Sequence, residues 1–346
     1  MPLTGGRVSS ILIVTDAWHP QVNGVVRTLE ETQKALLAMD VRTEVIHPGA
    51  FRSVPCPTYP EIRLALPSQR RLIRRIATAA CDHIHVATEG PLGHAAAAAA
   101  RRMRRRYSTC YHSRFPEYLA ARLPIPTRLS YAVLRRFHNK GAACLVATQT
   151  LKDDLVARGF RTLHRWPRGV DTALFHPGAG PSPYDGLARP VWLSVGRVAV
   201  EKTLPAFLDL DLPGTKVVVG DGPDLPRLRD RYSNLVFAGA KAGSELAAHY
   251  AHADAFVFPS RTDTFGLVMA EAMAAGTPVA AFPVPGPIDV VQDGVTGVLA
   301  HDLRAAALAA LDVSRDACRN AAQSMDWRNA TQVFLAVATA VEAQRG

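Results

Sequence analysis

Short apolar runs alternate with longer amphipathic stretches along nearly the whole chain, a pattern that predicts strands and helices in turn and therefore parallel α/β sheets. In the first half it predicts strands at 11–16, 44–47, 83–86, 108–111 and 144–148, with helices at 25–38 and, rich in alanine, at 92–105. At 171–190 the alternation breaks into Pro, Gly and Asp (HPGAGPSPYDGLARP), which reads as a linker. It restarts with strands at 191–195, 216–219, 234–237, 255–258 and 278–281, and closes on an amphipathic helix from Asp326-Trp327. Two doubly wound domains follow, 1–178 and 179–326, ahead of the closing helix 327–346. They are expected to face a cleft, with ligands at the carboxyl ends of the strands.

The 346 residues suit two domains of roughly 150–200 residues each. A hydrophobic share of 48% and a charged share of 20% exclude a disordered or fibrous chain. No apolar run approaches the ~18 residues of a membrane span. The run Ile11–Val14 behind Met1–Ser10 is too short for a signal-peptide core and reads as a first strand. The five cysteines stand apart with no C-x-x-C, as reduced thiols in a cytoplasmic protein would.

Charge changes the picture. The net +10 is unevenly divided: 26 Lys+Arg face 12 Asp+Glu through Gly178, and 14 face 18 in the remainder. Between Arg63 and Lys140 stand 16 bases and three acids, Asp82, Glu89 and Glu117. Such a field calls for an anionic partner. Arg70, Arg71, Arg74 and Arg75 stand beside Leu72, Ile73 and Ile76, and further arginines at 101–106 and 114–136 lie among aromatic and apolar residues. Basic, apolar helix faces without a spanning segment point to the surface of an anionic membrane. No nucleic-acid module is recognisable, so nucleic acid is not an expected partner.

Three motifs carry candidate chemistry. Thr15 to Val26 runs from a strand end through His19-Pro20 and Asn23-Gly24 into a helix whose first amides suit an anion. Gly196-Arg197, with Lys202 five residues on, places two cations at a strand end, where they suit a diphosphate. The stretch from Ser260 to Val279 leads from a strand through a glycine loop into a helix carrying Glu271, a carboxylate able to accept two sugar hydroxyls. Gly220-Asp221-Gly222-Pro223 reads as a βα loop near the nucleotide, and Asp209-Leu210-Asp211 as solvated turn acids, too few in oxygen ligands for a hard cation.

Together, in this order, these motifs resemble retaining glycosyltransferases of family 4, which have the GT-B fold with a C-terminal helix crossing back to the N-terminal domain. The family's E-x7-E motif stands here as Asp263…Glu271, with Asp in place of the first Glu. The resemblance implies that Glu271 binds the nucleotide ribose and that Asp263, Thr264, Phe265, Gly266 and Leu267 hold the donor sugar and its phosphate. It further implies that Arg197 and Lys202 neutralise the leaving diphosphate beside Gly196, that Gly24 lets its loop close over it, that Lys241 contacts the base, and that His112 meets the donor sugar. The expected activity is metal-independent transfer, without a cofactor, from a nucleotide-sugar to a membrane lipid by a protein peripheral on the cytoplasmic face. A UDP-sugar and diacylglycerol are favoured. The alternatives are a GDP-mannose mannosyltransferase with a phosphoinositide or soluble acceptor, a nucleotide-sugar epimerase, and a non-catalytic binding protein.

Overall fold

The computed structural model describes residues 8–21, 23–56 and 59–344. Residues 1–7 of the N-terminal stretch, Val22 of the first motif, and 345–346 of the closing helix lie outside the described residues. The chain divides into two compact units: residues 1–120, 124–167 and 327–346 form one, and 121–123 with 168–326 the other.

The first unit runs β1 (Ser10–Val14), α1 (Gly24–Leu37), β2 (Arg42–Ile46), β3 (Ser53–Cys56), β4 (Tyr59–Ala65), α2 (Gln69–Ala79) and β5 (His83–Val86). It continues through α3 (Pro91–Arg102), β6 (Ser108–Tyr111), α4 (Phe115–Ala120), α5 (Thr127–His138), β7 (Ala143–Val146), α6 (Gln149–Ala157) and β8 (Leu163–Arg165). Six strands pair in parallel in the order β2-β1-β5-β6-β7-β8. Strands covered on both faces need apolar residues at every position, which is why Ile11, Leu12, Ile13 and Val14 are all buried. The antiparallel pair β3–β4 stands outside this sheet and is absent from the sequence-based expectation.

The second unit runs β9 (Val191–Val195), α7 (Pro205–Leu208), β10 (Thr215–Val219), α8 (Leu225–Arg231), β11 (Val236–Gly239), α9 (Gly243–His252) and β12 (Ala255–Phe258). There follow α10 (Leu267–Ala274), β13 (Val279–Ala281), α11 (Pro287–Val290), β14 (Gly297–Leu299), α12 (Leu303–Ala310) and α13 (Arg315–Gln323). Its six strands are again all parallel, in the order β11-β10-β9-β12-β13-β14.

The stretch 171–190 is no idle linker. Val170, Phe175, Ala179 and Tyr184 are buried in the core of the second unit, and the Tyr184 hydroxyl donates to His249 O at 2.8 Å. The boundary therefore falls after Pro167, ahead of the sequence-based position at 178. Apolar anchors spaced among the Pro and Gly residues account for the difference.

The last helix, α14 (Trp327–Ala343), belongs to the first unit. Phe334 enters a core cluster with Ile11, Ile13, Leu145 and Trp166, and Glu342 Oε1 lies 2.9 Å from His83 Nδ1 on β5. Among the described residues no helix is long and apolar enough to cross a membrane.

Candidate active site

In the second sheet β9 and β12 are neighbours, but the chain leaves β9 for β10 on one side and reaches β12 on the other. The loops beyond their carboxyl ends diverge there, which makes this the crevice where such sheets bind ligands. The loop after β9 carries Gly196 and half-buried Arg197. Gly196 N donates to Val219 O at 3.0 Å. The next strand end approaches so closely that a Cβ on Gly220 would stand 1.8 Å from Gly196 O, and Gly220 has φ +146°. The Gly220–Pro223 loop thus permits two strand ends to touch.

Lys202 ends the single 3-10 turn Val200–Lys202. Two hydroxyls fasten this turn to the loop beyond β12: Thr203 Oγ1 donates to Pro259 O at 2.7 Å, and Thr262 Oγ1 to Glu201 O at 3.2 Å. Lys202 Nζ is thereby held 2.5 Å from Asp263 Oδ1, with the side chains 23% and 14% exposed. The other oxygen, Asp263 Oδ2, is buried without a hydrogen-bond partner among the described residues. The predicted diphosphate cation and the first acid of Asp263…Glu271 meet each other across the switch point.

Thr264, Phe265, Leu267 and the intervening glycine lead, half-buried, into α10. Gly266 caps this helix at φ +83°, and a Cβ there would meet Met269 Cε at 2.7 Å and Phe258 Cζ at 3.1 Å. Only glycine makes the turn at low cost. One turn on, Glu271 is 3% exposed, and its Oε2 accepts from the Tyr250 hydroxyl of α9 at 2.9 Å. Sequence reasoning missed Tyr250, which is 21 residues away in the chain. It also missed two arginines of α13 that satisfy helix ends. Arg315 donates to Ala251 O and Ala253 O at 2.7 and 2.8 Å, and Arg319 to Ala274 O, the end of α10, at 2.8 Å. Burial holds the Arg315 pKa below the usual range.

Lys241 lies 3.4 Å from Glu245 in an ordinary i,i+4 pair. Asp209 Oδ1 accepts from the Tyr232 hydroxyl at 2.6 Å, a structural use of that acid.

The first sheet has its own switch point, between β1 and β5. The chain's own carboxylate fills it. Asp16 accepts from Leu92 N at 2.8 Å and Gly93 N at 3.0 Å, in the first turn of α3, and from Thr88 Oγ1 at 2.9 Å. Burial raises its pKa against the opposing pull of these donors. Next to it, burial and the Asp16 charge push the Glu89 carboxyl up to about 8. At Gly24 the amides predicted to face an anion are already used, since Asn23 Oδ1 accepts from Val25 N and Val26 N, each at 3.0 Å. His112 follows β6 and is nearly buried, its ring edge-on to Trp166 at 6.0 Å between centroids. Trp166 is fully buried and also lies 5.0 Å from Phe334 of α14. Arg114, two residues past His112, is buried against Asp154 at 3.1 Å.

The arginines of α2 need a correction. Leu72 and Ile76 are buried in the core and offer nothing to a membrane, because the helix spends its apolar stripe on its own domain. Arg70, Arg71 and Arg74 are exposed and Arg75 half-buried. Arg71 and Arg75 stand over the Phe51 ring at 5.4 and 5.8 Å, which leaves Arg70 and Arg74 pointing outward.

Residues 22–174 match the family described as Glycosyltransferase Family 4, and residues 189–316 the one described as Glycosyl transferases group 1. The chain is 33% identical over 317 residues to a GDP-mannose-dependent alpha-mannosyltransferase of Mycobacterium tuberculosis, covering 84% of this chain and 83% of that protein. It is 29% identical over 352 residues to the alpha-monoglucosyldiacylglycerol synthase of Streptococcus pneumoniae, covering 88% and 78%. Among solved structures, Anabaena Alr3699/HepE in complex with UDP and glucose superposes with a TM-score of 0.70 at 18% identity, covering 95% of this chain and 99% of that one.

Proposed function

The chain belongs to glycosyltransferase family 4 and is a glycosyltransferase of the GT-B fold, and from that premise we propose that it transfers mannose from GDP-mannose to a lipid at an anionic membrane surface. The donor reading is carried by the likeness, along most of both chains, to a GDP-mannose-dependent enzyme. The acceptor reading rests on the 16 bases against three acids between Arg63 and Lys140, more cationic charge than a donor diphosphate requires. A UDP-sugar with diacylglycerol, which the sequence favours, is the second reading, supported by the likeness to the diacylglycerol-linked synthase.

The transfer proceeds with retention and without a metal. The bond from the anomeric carbon to the diphosphate breaks, the acceptor oxygen bonds to that carbon, and the acceptor proton passes to a donor phosphate oxygen. Arg197 and Lys202 stabilise the charge that develops on the departing diphosphate. Glu271 takes the ribose hydroxyls, Lys241 lies toward the base, and residues 263–267 with Gly196 hold the phosphate and sugar. The family resemblance assigns His112 and Gly24 to the donor as well.

Labelled GDP-mannose, UDP-glucose and UDP-galactose, each offered with and without anionic lipid, test this. Label should pass from GDP-mannose into lipid and survive EDTA. Transfer from UDP-glucose alone establishes the second reading. A donor isomerised but never transferred indicates an epimerase, and binding without chemistry a non-catalytic protein.

A further inference from the structure

On the first unit, α3 and α5 bound a groove of about 170 Å³ lined by His94, Arg101, Val133, Arg136, Phe137 and Lys140. Three permanent cations line one small concavity. Among the described residues no carboxylate pairs with any of them, and Arg101 Nη1 donates to a neutral group, the Tyr107 hydroxyl, at 3.2 Å. Repulsion from Arg136 first, then desolvation and Arg101, holds the Lys140 ammonium below the usual lysine range. Helix-end complementation does not require this crowd, because the last turn of α3 also carries Arg102 and that of α5 also carries Arg135. The floor is the Phe137 ring, with the His94 imidazole 4.6 Å away between centroids. A concavity with an apolar floor and a ring of unneutralised cations lacks a compact anion of more than one charge. A terminal phosphate supplies that charge and enough oxygens to accept from two guanidinium groups and an ammonium together. We propose that the groove between α3 and α5 binds a terminal phosphate group, whether on a lipid headgroup or on a free phosphate ester. On the same helix, Leu129 and Val133 are 56% and 57% exposed, so a phosphate borne at a lipid surface would bring acyl chains toward apolar side chains.

The proposal does not depend on which sugar is transferred. Its test follows the His94 ring resonances by NMR during titration of the intact protein with inorganic phosphate. They should shift saturably, and Arg136→Gln/Lys140→Gln, both exposed and unburdened by packing, should raise the phosphate needed at least tenfold. Lys202→Gln, in the other unit, should leave the curve unchanged. A curve identical in the parent and the double variant, or no His94 shift in the parent, overturns the proposal. Vesicles then distinguish the source. If the ligand is a headgroup, the parent binds phosphatidic acid vesicles better than phosphatidylglycerol vesicles of equal charge, and the double variant loses that preference. If glycerol 3-phosphate shifts His94 as inorganic phosphate does while the two vesicle types bind alike, the ligand is a free ester.

Discussion

Lys202 and Asp263 are assigned to the donor, yet in this structure they are bonded to each other at 2.5 Å. Removing the lysine therefore has two effects: the diphosphate loses a cation, and an acid with one unpartnered oxygen is left uncompensated beside it. The second effect can be sized. Exposed pairs contribute about 0.2–1 kcal/mol and breaking a fully buried one costs about 3–5. With exposures of 23% and 14% this pair falls between, near the about 2 kcal/mol of a hydrogen bond to a charged group. That corresponds to roughly 30-fold in rate. Asp263→Asn in a Lys202→Ala background should remove the uncompensated charge, so the double variant should be roughly 30-fold more active than the product of the single effects. The assay is kcat/KM with labelled donor for the four proteins, with thermal midpoints to verify folding. Losses that simply multiply, to within the ~0.5 kcal/mol typical of independent sites, would refute the coupling.

His112→Ala should abolish turnover while binding of the free nucleoside diphosphate, followed by calorimetry, stays near the parent. Gly266→Ala should destabilise the second unit by about 2 kcal/mol, from the left-handed backbone and the contacts with Met269 and Phe258, read as a lower urea midpoint. Arg70→Gln/Arg74→Gln should lose about 1 kcal/mol of affinity per arginine for phosphatidylglycerol vesicles at low salt, and nearly none at high salt, in a sedimentation assay. The Glu89 carboxyl is raised from 4.5 to about 8, so the folded state holds its proton where the unfolded chain has lost it. The stability this lends is complete below pH 4.5 and is lost as pH rises through about 8. Glu89→Gln should flatten that decline in a series of thermal midpoints against pH.

Much of the fold was legible because parallel strands write themselves as unbroken apolar runs. Ile11–Val14 and Ala255–Phe258 are buried throughout, and their neighbours in the sheet follow from the alternation. The pair β3–β4 was not, since Ser53 to Ala65 carries three prolines and no clean alternation. Within the site, the glycines and cations of the strand-end loops were visible as motifs. Their partners were not: Tyr250 reaches Glu271, and Thr262 reaches Glu201, only because the topology brings distant loops to one sheet edge. Giving Leu72 and Ile76 of α2 to a membrane face failed for a related reason, because helical periodicity does not say which side the core claims.

The return of α14 to the first unit sets the order in which the chain can be completed during synthesis. Residues 168–326 are inserted between two parts of the first unit, so the second can finish folding as soon as its own last helix, α13, has left the ribosome. Until α14 follows, the first unit lacks Phe334 and the Glu342 contact to His83, and the cluster of Ile13, Leu145 and Trp166 has only the cover that Leu29 and Leu36 of α1 supply. The domain begun first is therefore finished last, and its half-covered face is where a nascent-chain chaperone would be needed.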